Sequence, residues 1–293
     1  MNYTIKNDRL TLEISSRGGE FQSIRDAQGR EYLWQGDAAT WTDRGPNLFP
    51  YIGRMTDKSY RYQGQLYHMD IHGFLPYVDM TLVEQKEDEI TLRLTDSEET
   101  HMQYPFQFEL DITWKLDGDK IEISYLVRNK DNKTMYFGIG GHPGFRIPFD
   151  DGLKFEDYRI DFGEGAAPRR ILFSEDCFVL EKDEPLELIE GRYLNLRHDM
   201  FDADAIVVKN MPKEVTLSSA RGSREIRVAF PDMDYLGFWH WPRVEVDYMC
   251  VEPWGSLPSR KDVVEELEHQ ADLHALKSGE MYRNSWSIEI TEK

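Results

Sequence analysis

Phe106-Gln107-Phe108-Glu109-Leu110-Asp111-Ile112-Thr113-Trp114-Lys115-Leu116 alternates apolar and polar residues without a break. A strand turns successive side chains to opposite faces, so this stretch predicts one buried and one wetted face. Asp117-Gly118-Asp119 follows as a turn, and Ile121, Ile123, Tyr125 and Val127 resume the same period. The whole reads as a long antiparallel hairpin. Shorter strands are expected over 10–14, 20–24, 90–94, 205–209, 214–218 and 225–230, and Trp286, Ile288 and Ile290 close the chain with another alternation. The clearest helix signal is Ser259-Arg260-Lys261-Asp262 before Val263 to Leu267, with Ser259 placed to cap. Many short strands with few short helices predict an all-β chain, built as a large sandwich or folded-over antiparallel sheet.

No repeat, low-complexity tract or linker divides the 293 residues, so one domain spanning 1–293 is expected. Apolar residues at 40% supply a core. The 35 basic and 54 acidic residues leave a net charge of -19. A nucleic-acid binder draws affinity from neutralising phosphates, so this balance argues against that class. It also favours a neutral small molecule over a phosphorylated one. No segment approaches the roughly 20 apolar residues of a membrane helix, and the opening Met1 to Lys6 lacks a secretory core. Two distant cysteines, Cys177 and Cys250, suggest no disulfide framework. A cytoplasmic protein is expected.

Four segments interrupt the strand pattern with residues suited to chemistry. In Asn47 to Arg54, a guanidinium ends an apolar run containing Pro50 and Gly53, which predicts Arg54 near the interior; a surface arginine is the alternative. Asp70-Ile71-His72-Gly73-Phe74 sets a histidine beside a glycine. His68 stands at a metal-ligand spacing from His72, but Gly64, Gly73 and Pro76 argue against the helix that spacing needs. Gly138-Ile139-Gly140-Gly141-His142-Pro143-Gly144 surrounds His142 with glycines, and Pro143 holds it extended. Pro143 also rules out a dinucleotide fingerprint, because no helix can follow to receive a pyrophosphate. In Cys250-Val251-Glu252-Pro253-Trp254, an acid at a strand end in apolar surroundings should have a raised pKa. Trp254 offers a face to a sugar ring, and Cys250 reads as core.

In their order, these segments resemble the aldose 1-epimerase (galactose mutarotase-like) family over nearly the whole chain. Gly53-Arg54, His72-Gly73, His142 and Val251-Glu252-Pro253 match its elements, and Asp204, before Ala205 to Val208, matches its sugar-binding aspartate. The resemblance implies a large antiparallel β-supersandwich with an open sugar cleft. Better-known members carry asparagine where this chain has Gly141, and glutamine where it has Trp254. The pattern is therefore similar to a divergent, epimerase-like branch.

The resemblance implies interconversion of the α and β anomers of a free aldose. Glu252 would be the base at the anomeric hydroxyl and His142 the acid at the ring oxygen, the two meeting across one cleft. His72 and Arg54 would hold ring oxygens, and Asp204 would accept from hydroxyls. No cofactor or metal is required, the partner is a monosaccharide, and the chain is expected as a monomer or homodimer. Three rivals stand beside this reading. One is a carbohydrate-binding or sensing protein without turnover. Another is a metal-dependent isomerase using His68, His72, His142 and Glu252. The last is a sugar-phosphate mutarotase, for which Arg54 and Arg146 are the candidate cations.

Overall fold

A computed structural model describes residues 1–293. The opening stretch forms Phe108–Asp117, paired antiparallel with Lys120–Asn129. Phe108, Leu110, Ile112, Trp114 and Leu116 are all buried, as the period-2 pattern requires. On the opposite face, Arg93 and Arg128 both reach Asp111, at 2.6 and 2.7 Å, so opposed charges tie three neighbouring strands together.

This hairpin is part of a nine-stranded sheet, its two strands sixth and seventh in order. Its order runs Tyr193–Asn195, Tyr158–Asp161, Glu214–Ser219, Arg224–Ala229, Met281–Glu292, Lys120–Asn129, Phe108–Asp117, Glu89–Thr95, Thr81–Gln85. Every adjacent pair is antiparallel. The closing alternation fills the middle of it, against both Lys120–Asn129 and Arg224–Ala229. A second, eight-stranded sheet contains Ile206–Lys209, Tyr235–Trp239, Tyr248–Trp254 and the short strand Gly140–Gly141, with Gly144–Arg146 also paired to Tyr248–Trp254. Inward side chains of the strands merge into one cluster of 62 buried hydrophobic residues. The all-β, antiparallel architecture expected from the sequence is the one observed.

One local expectation is corrected. Residues 259–267 form no α-helix; Ser259 is buried and its hydroxyl accepts from the Thr56 amide at 2.8 Å, so tertiary bonding replaces capping. The single α-helix is instead Glu98–Gln103, where Ser97 and Thr100 form a reciprocal capping box.

Tyr248–Trp254 is buried along its whole length, and it positions the site. Fully buried strands lose the alternation that marks half-buried ones. That is why the sequence marks only the end of this strand, expected within Cys250 to Gly255 and found at Trp254.

Candidate functional site

Strand register brings the two central residues together. Gly140 pairs with Trp254 and Gly144 with Cys250, so position 142 stands directly opposite 252. Pro143 interrupts regular pairing there, though its carbonyl still accepts from the Val251 amide at 3.2 Å. His142 and Glu252 consequently point from the same face, with His142 Nε2 lying 3.1 Å from Glu252 Oε2. The two are immediate neighbours rather than groups facing across a gap. On the far side of Glu252 the paired residue is Gly237, whose missing side chain leaves space.

Both groups are nearly inaccessible, with Glu252 1% and His142 8% exposed. Burial pushes the Glu252 carboxyl well above the usual carboxylate range; the nearby Asp204 charge adds to this, and a hydrogen bond from Trp254 opposes it. Burial likewise lowers the His142 imidazole to about 4. Trp254 Nε1 donates to Glu252 Oε2 at 3.1 Å, so Trp254 holds the carboxyl as well as walling the cavity. Glu252 Oε1 and His142 Nδ1 are buried without a protein partner. Unsatisfied atoms of this kind are costly and mark where a ligand or water completes the bonding.

His72 lies beside the pair, its ring edge-on to His142 with centroids 5.5 Å apart. The Gly53 amide donates to His72 Nδ1 at 3.1 Å, which places the ring proton on Nε2. Burial, followed by His142 and Arg54, keeps His72 neutral with a depressed pKa. Its position depends on Gly73, whose φ is +75° and whose added Cβ would stand 2.3 Å from the Phe49 carbonyl.

Arg54 and Asp204 form the rim. Arg54 is exposed rather than held near the interior, and its guanidinium reaches Asp204 Oδ2 at 3.4 Å. Asp204, at φ +79°, accepts at Oδ1 from the Ala205 amide and at Oδ2 from the Cys177 thiol, each at 2.9 Å. Burial and the neighbouring Asp204 push the Cys177 thiol up to about 11, so it remains a donor. Nothing in the sequence points to Cys177 as part of the site, because only the fold sets it against Asp204.

These residues line a cavity of about 310 Å³, walled by Trp41, Trp239, Trp241 and Trp254. Pockets of roughly 300 Å³ and above accept small ligands. Aromatic faces beside convergent polar groups suit a ring that is apolar on its faces and polar at its edge. An adjoining hollow of about 890 Å³ shares Phe173, Asp204 and Trp241 with the cavity and carries Arg170 and Arg243.

All five residues selected from the sequence (Arg54, His72, His142, Asp204 and Glu252) line this one cavity. His68 does not join them: it sits on the hairpin formed by Ser59–Tyr62 and Gln65–His68, with Nδ1 2.8 Å from Ser59 Oγ. The four-ligand metal set is therefore not assembled. Arg146 lines a separate hollow with Arg30 and Arg224. Cys250 is buried against Trp41, Val246 and Tyr248, as expected of a core residue.

The family model for aldose 1-epimerase matches residues 1–285. Protein LacX (chromosomal) of Lactococcus lactis subsp. lactis is 30% identical over 300 residues, covering 99% of both chains. A galactose mutarotase related enzyme from Lactobacillus acidophilus superposes with a TM-score of 0.95 at 31% identity, over 99% of this chain and 97% of that one. A galactose mutarotase-like protein from Lactobacillus casei gives 0.93 at 27% identity, over 99% and 100%.

Proposed function

The chain belongs to the aldose 1-epimerase family, and on that premise we propose that it interconverts the anomers of a free aldose by acid–base ring opening. The observation that carries this reading is the 3.1 Å approach of His142 and Glu252 at the wall of a monosaccharide-sized cavity. In a hemiacetal, the anomeric hydroxyl and the ring oxygen are bonded to the same carbon. A base and an acid serving both must therefore lie close together, and these two do.

With the pair's single proton on His142, the Glu252 carboxylate takes the proton of the anomeric hydroxyl while the His142 imidazolium gives its proton to the ring oxygen. The C1–ring oxygen bond breaks and an open-chain aldehyde forms. Rotation about C1–C2 presents the other carbonyl face, and the two residues return the protons as the ring closes. Each positioned acid or base contributes about 10²–10⁴-fold. His72, protonated on Nε2, donates to a ring or hydroxyl oxygen. Arg54 and Asp204 supply a donor and an acceptor for hydroxyls further from C1. Proton transfer of this kind moves no electrons and transfers no group.

Arg170 and Arg243 form no ion pair within the chain, and this favours a second reading in which the sugar carries a phosphate. Glu175, Asp202 and Asp204 line the same hollow, however, and offset the two cations. The neutral sugar is therefore preferred.

Exchange NMR across free aldoses and their 6-phosphates tests both. The account expects at least one neutral aldose to be accelerated, and the Glu252→Gln variant to lose about 10²-fold or more of that rate. Sugar binding without any acceleration would assign the chain to carbohydrate sensing instead.

A further inference from the structure

We propose that His142, Cys250 and Glu252 form a binding site for a zinc-class divalent cation, and that its occupancy blocks proton exchange at the same residues. One ligand atom from each of the three side chains lies within 4.8 Å of the other two, and all three residues are buried. The backbone dictates this grouping. Cys250 and Glu252 are two apart on one strand and share a face, while His142 stands opposite Glu252 in the break between the short strands Gly140–Gly141 and Gly144–Arg146.

Zinc bonds nitrogen, oxygen and sulfur at about 2.0–2.3 Å in a tetrahedron, so its ligand atoms stand about 3.3–3.8 Å apart. The observed set, within 4.8 Å, is somewhat wider than that spacing, so binding draws the three side chains together around the ion. A second observation points to a missing partner: the Glu252 carboxyl, 1% exposed, keeps its second oxygen, Oε1, unpaired. His142 and Glu252 also line the cavity, which gives the ion a path in and leaves the fourth position for water.

The charge balances. A thiolate, a carboxylate and a neutral imidazole around a doubly charged cation make a neutral cluster, which suits a buried position. Binding releases the Cys250 thiol proton and the proton shared by His142 and Glu252 to solvent, with no change of oxidation state. The thiolate selects zinc or cadmium over magnesium and calcium, which prefer oxygen ligands. With its shared proton replaced by a metal, the pair has neither base nor acid to offer a sugar.

The test titrates cadmium and zinc chloride into chelator-washed, full-length protein without sugar, reading the ultraviolet cadmium–thiolate band and the bound metal by equilibrium dialysis. One equivalent should bind and produce the band. Cys250→Ser should remove the band and weaken binding about tenfold or more, while metal-free anomer exchange stays within about threefold. Cys177→Ser should keep both band and affinity. Glu252→Gln, read by dialysis alone, tests the same site if the Cys250 variant does not fold, and it too should weaken binding about tenfold or more. No band, or binding that survives both Cys250→Ser and Glu252→Gln, overturns the site. Neither readout requires turnover, so the metal site and the mutarotase reading fail separately.

Discussion

His142 and Glu252 stand opposite one another with Nε2 and Oε2 3.1 Å apart, one supplied by a glycine-flanked break between two short strands and the other by a wholly buried strand. A pair this close titrates as a unit. Its working form holds one proton: a second leaves no base, and none leaves no acid.

The pH–rate profile of kcat/KM should therefore be bell-shaped. On the acidic side, activity falls as the pair gains its second proton, near the His142 value of about 4. On the alkaline side it falls when the shared proton is lost, well above the ordinary carboxylate range, because burial raises Glu252. A profile controlled by a single group near the ordinary carboxylate value, about 4.3, would show that Glu252 is not buried as described.

The same burial should cost stability. A carboxyl whose pKa is raised on folding binds its proton more tightly in the native state, so stability falls as pH rises past the unfolded value of about 4.3. Glu252→Gln removes that loss. The variant should melt higher than the parent at pH 7, with the difference shrinking towards pH 4; each kcal/mol is about 2–4 °C for a chain of this size. Calorimetry at the two pH values decides it, and an equal or lower melting temperature at pH 7 contradicts the account.

At the rim, Asp204 is held by Arg54 and Cys177 through one oxygen and by its neighbour's amide through the other. Asp204→Asn should raise KM about tenfold or more, the worth of a charged hydrogen bond, with a smaller change in kcat. Cys177→Ala should raise KM less, and Cys177→Ser should recover part of the loss. A kcat-only effect would place these residues elsewhere in the reaction.

Gly141 tests the packing beneath the site. A Cβ there would stand 2.4 Å from Trp286 Cζ2, and Trp286 is held by a 3.0 Å bond to the Tyr125 hydroxyl. Gly141→Ala should destabilise the fold by about 1–3 kcal/mol through overpacking. Adding Trp286→Phe should recover stability, because it removes the ring that clashes. Denaturant unfolding of the single and double variants measures both.

Much of this was legible in the sequence, for physical reasons. The Phe106–Leu116 alternation reports a half-buried strand directly, and Phe108–Asp117 follows it within two residues. The glycines around His142 signal close packing, and Gly140, Gly141 and Gly144 each face neighbours that a Cβ would strike. What stays hidden depends on tertiary placement. Tyr248–Trp254 is buried on both faces and so carries no period. The bond from Cys177 to Asp204 joins residues with no sequence relationship. The helix signal at Ser259 is real local chemistry, overridden because that hydroxyl bonds Thr56 instead. Arg54 follows a buried run yet turns outward to meet Asp204.

The most direct measurement is a crystal structure of the Glu252→Gln protein with an aldose bound. The sugar should lie in the tryptophan-walled cavity, its anomeric hydroxyl and ring oxygen within hydrogen-bond reach, about 2.6–3.2 Å, of residue 252 and His142 respectively. A sugar seated with its C1 end towards solvent, away from both, would contradict the central claim.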